Sequence, residues 1–220
     1  MKVDFHCHTI YSNDSLNFVP QLLRTARRRG LDRLVITDHN SIRGALLAKE
    51  IDPDLVIIGE EIQTTGGEIL AAFVQEEIPR DLDPHEAIDR LKSQGAFISL
   101  SHPFDSNNRS AWPENILNEI SHLVDAIEIF NGRNIDKSAN AKAAQYAKSH
   151  QLAGTAGSDA HIPYEIGRVA MILPPFNTAD DLRKVIRKGE PQGVLSPFWV
   201  HFGSTLARLY KLFSRQPPDR

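Results

Sequence analysis

Eight short β-rich runs alternate with helix-like stretches along these 220 residues, and that alternation restricts the chain to a small set of α/β architectures. The runs are Lys2–His6, Arg33–Thr37, Leu55–Gly59, Ile69–Val74, Phe97–Ser101, Ala126–Phe130, Ala153–Gly157 and Val169–Leu173. Between them, Phe18–Arg29 repeats apolar residues on one helical face and stops at Gly30. Pro84–Gln94 opens behind Asp83, a capping residue, and closes at Gly95. Asp136–His150 is alanine-rich, and Thr178–Lys188 closes at Gly189. Strands separated by helices of this length belong to βα units and a parallel sheet. The expectation is one barrel domain over residues 1–200, followed at 201–220 by an amphipathic helix and a polar tail.

Composition removes several function classes. A net charge of −3 provides no general attraction to nucleic acid or anionic lipid. There is no basic run with interleaved aromatics of the kind that tracks a strand, so no stable nucleic-acid complex is expected. A single cysteine rules out an intramolecular disulfide, no apolar run approaches a membrane span, and MKVDF opens directly on a strand-like run without a leader pattern. A cytoplasmic protein without membrane contact is the expectation. Ser204–Phe213 puts Leu206, Leu209, Tyr210 and Phe213 on one helical face, with Arg208, Lys211 and Arg215 on the other. That pattern reads as a terminal helix docking on the domain, with membrane contact as the lesser alternative.

The chemistry lies at the ends of the runs. In VDFHCHT, His6 and His8 are two apart and face one side of a strand, while Cys7 faces the other, apolar side. Asp14 follows in a polar loop, where a helix cap or turn role competes with a ligand role. His39 ends LVITDH, Glu61 follows VIIG, His102 follows FISLS, Glu128 lies in AIEIF, and Asp159 and His161 close GSDAH. Glu60 must point away from Glu61, and Glu68 competes for a carboxylate position. Imidazole nitrogen and carboxylate oxygen suit zinc, iron and manganese. In a (βα) barrel the carboxyl ends of the strands form the face on which sites are built. His85, His122, His150 and His201 lie in helix-like or terminal contexts and receive no ligand role.

The ordered set HxH, TDH, GxE, SHP and GSDAH, spanning Val3 to His161, resembles the PHP (polymerase and histidinol phosphatase) family of metal-dependent phosphoesterases. The resemblance implies a distorted seven-stranded, TIM-like (βα) barrel binding two or three divalent transition-metal ions. It implies that His6, His8, Glu61 and Asp159 hold the first ion, Glu61, His102 and Glu128 a second, and Asp14, His39 and His161 a third. The implied reaction is hydrolysis of a phosphate ester on a small metabolite, nucleotide or short oligonucleotide through a metal-bridging hydroxide. Asp159 or His161 would shuttle the proton, and Arg109 and Arg133 would contact the phosphate. Asp14 and Glu128 stand where many relatives carry histidine, and this more acidic shell brings manganese and iron into competition with zinc. The short stretch between His102 and Glu128 leaves no room for a sizeable lid, so an open mouth is expected. The rival readings are a metal-dependent amidohydrolase, although no lysine ends a central strand, and a non-catalytic module of the same fold.

Overall fold

A computed structural model describes residues 1–105 and 111–214. The strands are β1 (Lys2–Asp4), β2 (Arg33–Ile36), β3 (Val56–Gln63), β4 (Glu68–Ala72), β5 (Phe97–Leu100), β6 (Ala126–Asn131), β7 (Ala153–Gly157), β8 (Val169–Ile172) and β9 (Glu190–Gly193). The helices are α1 (Val19–Arg28), α2 (Arg43–Ile51), α3 (Pro84–Ser93), α4 (Glu114–Ile120), α5 (Lys137–Ser149), α6 (Ala179–Val185) and α7 (Val200–Ser214). Caps explain several starts: the Asp83 carboxylate accepts from His85 N, Asp136 from Ser138 N and Thr178 from Asp181 N. Helix α1 buries Val19, Leu22, Leu23 and Ala26, and Gly30 beyond it takes φ +69°, a left-handed stop.

Among the described residues the sheet has nine strands and not seven, in the order β7-β6-β5-β4-β3-β2-β1-β8-β9. It curls until β7 returns to the first strand: Phe5 N donates to Ala156 O at 3.3 Å, His8 N donates to Ala160 O at 3.0 Å, and Cys7 and Ala160 form a parallel bridge. The free edge of the first strand is therefore shared. Its amino-terminal half pairs with β8 through Lys2 and Val3, and the residues after it pair with the end of β7. Strand β9 is the addition that the repeating pattern did not announce, whereas β8 falls in the expected run Val169–Leu173.

The sheet is also not wholly parallel. Strand β4 runs antiparallel to both β3 and β5, as the return arm of a hairpin. Its first residue, Glu68, thus lies at the same end of the barrel as the carboxyl ends of the parallel strands. The barrel interior below that end is apolar, with Phe5, Val35, Ile57, Ala72 and Phe97 in one buried cluster. The helices close over two further clusters outside the sheet. Cys7 is fully buried in one of them.

Helix α7 docks with the side opposite to its apolar stripe. Val200 and Ala207 are fully buried, whereas Leu206, Leu209, Tyr210 and Phe213 are 60%, 45%, 53% and 83% exposed. Among the described residues, no helix is long and apolar enough to cross a membrane.

Candidate metal centre

The site grows out of the closure between the first strand and β7. A β-carbon on Gly157 would lie 2.4 Å from His6 Cβ, so glycine is what allows the two strands to approach. Asp4, fully buried, accepts from Ser158 N at 2.8 Å and Gly167 N at 3.0 Å and ties the same junction. Burial pushes its carboxyl up to about 6 despite these donors. Asp38 does similar work one strand away, accepting from Thr9 N at 2.6 Å and Ser12 Oγ at 2.8 Å. Asp159 itself takes φ +52°, a left-handed conformation that aspartate tolerates.

Hydrogen bonds around the rim orient the imidazoles. His6 Nδ1 is 3.1 Å from Glu128 Oε1, which can only accept when ionised, so the proton sits on Nδ1 and the Nε2 lone pair points inward. Ser12 has one proton, given to Asp38, so its oxygen accepts from His8 Nδ1 at 3.0 Å and His39 N at 3.0 Å. That leaves His8 Nε2 as an inward lone pair as well. His161 Nδ1 donates to Asp159 O at 2.8 Å and leaves its Nε2 facing Asp14 Oδ1 at 3.2 Å.

The inward atoms converge. Three overlapping groups, His6–His8–Glu61, His8–His39–His161 and His39–Glu61–Glu68, each bring three ligand atoms within 4.8 Å of one another. Asp159 Oδ1 lies 3.5 Å from His6 Nε2 and 3.2 Å from His8 Nε2. His102 Nε2 lies 3.2 Å from Glu61 Oε1 and 3.4 Å from Glu68 Oε2. Two observations test whether cations fit. His6 Nε2 and His8 Nε2 are 3.0 Å apart, a distance at which two lone pairs repel unless a cation lies between them. Glu61 Oε2 is 3.2, 3.3 and 3.1 Å from ring nitrogens of His6, His8 and His39, yet no hydrogen bond of good geometry reaches it. Both fit a divalent ion, and a carboxylate central to the groups suits a bridge.

Electrostatics agree with the geometry. Burial alone would lower the His6 imidazole, but the carboxylates of Glu61, Asp159 and Glu128 overturn it and hold it well above its ordinary range. His102 is raised to about 10, burial again being outweighed by Glu61 and then Glu68. Burial would raise Asp14, Glu61 and Asp159, and the histidines around each hold them well below the usual carboxylate range instead. The cluster draws positive charge, whether protons or metal.

Two sequence expectations gain detail here. Glu128 was expected among the ligands; its Oε1 faces His6 Nδ1, while Oε2 accepts from His102 N at 2.9 Å and Asn131 Nδ2 at 3.1 Å. Glu68, the competing carboxylate, lines the cavity. The mouth, expected to be open, is walled on one side by α7. A cavity of about 660 Å³ is lined by Asp14, His39, Glu61, Glu68, His102, Asp159 and His161 on the floor, and by His201, Ser204, Thr205 and Arg208 from α7. Arg208 Nη2 pairs with Asp14 Oδ2 at 3.0 Å, and Lys211 Nζ donates to the carbonyls of Ile10 and Ser12. Those α7 contacts escaped the sequence reading, which had the helix dock on the domain but gave it no part in the site. Arg133 lines the cavity while only 8% exposed; Nη2 donates to Ser204 Oγ at 3.0 Å and to His201 Nδ1 at 3.3 Å, and Nη1 has no hydrogen-bond partner. Glu60 is buried on the opposite side of β3 and accepts from Ile78 N at 3.0 Å. Arg109 lies outside the described residues.

Comparison with known proteins places this geometry in a lineage. The family model described as PHP-associated matches residues 137–191. An uncharacterized protein of Methanocaldococcus jannaschii is 39% identical over 187 residues, covering 83% of this chain and 75% of that protein. A protein of Vibrio campbellii named "Probable phosphatase" is 26% identical over 209 residues, covering 78% of this chain and 82% of its own length. Among solved structures, a two-domain Bacteroides vulgatus protein described as containing a predicted PHP-like metal-dependent phosphoesterase superposes with a TM-score of 0.73 at 23% identity. That match covers 88% of this chain and 65% of the Bacteroides chain, a little under two thirds of its length. The match to the PHP-associated model, the ordered motifs and the shared barrel make this chain similar to PHP-like proteins in sequence and fold.

Proposed function

We infer that the protein hydrolyses phosphate esters of small molecules, using two or three divalent transition-metal ions (manganese, iron or zinc) held at the floor of the cavity. The observation that carries this reading is the overlap of three candidate ligand groups on Glu61, His8 and His39. In our assignment His6, His8, Glu61 and Asp159 hold one ion, Glu61, Glu68 and His102 a second, and Asp14, His39 and His161 a third. Bound ions of this kind lower the pKa of a shared water to about 7 and offset charge on the attacking and leaving oxygens.

The chain's own residues do the rest. Glu128 and Ser12 keep His6 and His8 in the tautomer that ligates. Arg133, a cavity-lining cation, supplies its guanidinium charge to a phosphate oxygen. Asp159 or His161, both lining the cavity, delivers the proton to the leaving alkoxide. The volume of about 660 Å³ falls in the range of small-molecule sites and supports a metabolite or nucleotide over a polymer. Purified protein is tested for bound metal and for hydrolysis of aryl phosphates, metabolite phosphates, short oligonucleotides, amides and lactones, with and without chelator. His8→Ala is expected to abolish phosphate-ester hydrolysis while the melting curve stays cooperative. Full activity in that variant, or activity confined to amides or lactones, refutes the reading.

A further inference from the structure

Helix α7 is mounted inside out. Its charged and small residues face the protein, where Ser204 meets Arg133, Arg208 meets Asp14, and Lys211 meets the loop carbonyls of Ile10 and Ser12. Its large apolar residues face away. The outward series is Trp199, in the turn just before the helix, then Phe202, Leu206, Leu209 and Phe213, exposed by 50%, 61%, 60%, 45% and 83%. The steps between these residues are three, four, three and four, the a and d spacing of a helix–helix seam. Phe198, Tyr210 and Leu212 extend the bare surface on the flanking positions, at 64%, 53% and 75% exposure.

Taking roughly 200 Å² for each large side chain, this surface amounts to on the order of 900 Å². The largest apolar patch of an ordinary monomer is about 300–600 Å². A standard protein interface takes about 800 Å² from each partner. We propose that the outward seam of α7 is an interface between two copies of this chain, α7 packing on α7 across a twofold axis. A twofold makes the same stripe meet itself, which a self-complementary apolar seam allows.

Chemistry favours a second copy over a lipid surface. An interfacial helix presents basic residues beside its apolar face to meet anionic headgroups. Here Arg208, though two-thirds exposed, is paired with Asp14, Lys211 is occupied by two loop carbonyls, and the described residues 194–214 include no acidic side chain and no other lysine or arginine; Arg215 lies outside the described residues. Pairing would also bear on the site, because the same helix forms one wall of the cavity.

The test uses the full chain. Sedimentation velocity and light scattering at tens of micromolar should report twice the 24.6 kDa chain mass. Leu206→Glu and Phe202→Glu should each shift the particle to the single-chain mass, with circular dichroism and bound metal unchanged. Lys92→Glu, on the exposed face of α3, should leave the dimer intact. A single-chain mass for the wild type overturns the proposal, as does a dimer indifferent to both seam substitutions. A monomer that pellets with anionic phospholipid vesicles, and loses this on Leu206→Glu, overturns it in favour of a membrane surface. None of these readouts uses catalysis, so they stand or fall separately from the proposed reaction.

Discussion

Glu128→Gln separates a bracing carboxylate from a ligating one. In the wild type, three donors converge on Glu128: His6 Nδ1 on Oε1, and His102 N with Asn131 Nδ2 on Oε2. An amide of the same shape has only one acceptor oxygen. Directed at His6, it leaves two buried donors facing an NH₂ group, at about 1–3 kcal/mol each. Directed at His102 N and Asn131, it presents NH₂ to His6 Nδ1, and the imidazole proton must move to Nε2. That nitrogen is the one 3.2 Å from Glu61 Oε2 and 3.0 Å from His8 Nε2, so a proton there blocks ligation. The second arrangement costs fewer buried hydrogen bonds and should prevail.

The consequence is weaker metal binding with the number of sites preserved. Loss of such a supporting carboxylate typically lowers metal affinity 10–100-fold, about 1.4–2.7 kcal/mol. Chelator competition followed by elemental analysis at saturating metal reads both quantities. Glu128→Gln should show the affinity loss, the wild-type ion count at saturation, and activity restored by excess metal. Glu68→Gln should instead lose an ion that excess metal does not restore. If Glu128→Gln loses an ion at saturation while Glu68→Gln does not, the sequence-based ligand assignment stands and the bracing role fails.

Other variants probe separate parts of the construction. Gly157→Ala forces a β-carbon to 2.4 Å from His6 Cβ, and overpacking of about 1–3 kcal/mol should lower Tm by roughly 3–10 °C in a calorimetric scan; an unchanged Tm would mean the strands separate freely. Burial raises the Glu60 carboxyl to about 8, so the folded chain keeps a proton that the unfolded chain releases near its ordinary value of 4.5. Stability should therefore fall as pH rises from about 4.5 to 8, by at most about 1.4 kcal/mol per unit. Glu60→Gln should remove that slope in urea titrations, and parallel curves for the two proteins would refute the burial argument. Arg133→Lys keeps the charge and loses the planar fork; KM for phosphate esters should rise roughly tenfold or more with metal content unchanged, and an unaltered KM removes Arg133 from the substrate site.

What was legible in the sequence and what was not follows from strand geometry. His6 and His8 could be read because side chains alternate strictly along an extended chain, so a spacing of two guarantees a shared face. Asp159 and His161 could be read because they lie beyond the end of β7, where a barrel opens. Glu128 matched the same verbal pattern, but it sits three residues before the end of β6, and each residue along a strand is worth about 3.3 Å of depth. Its carboxylate meets His6 at Nδ1 and is not among the residues that line the cavity. Glu68 entered the sequence reading only as a competitor. A rule that looks for ligands after strands does not single out the first residue of a strand, and only the reversal of β4 brings that residue to the mouth. Hydropathy cannot announce that reversal, since both arms of the hairpin are largely buried whichever way they run. Helix α7 shows the same limit at the level of packing. Periodicity locates an apolar stripe but assumes that the surface beneath it is apolar too. Here the surface beneath is the rim of an acidic and imidazole-rich cavity, against which Arg208, Ser204 and Lys211 are the complementary side. A helix laid over a charged mouth must turn its polar residues down, and its apolar stripe then becomes a surface in need of a partner.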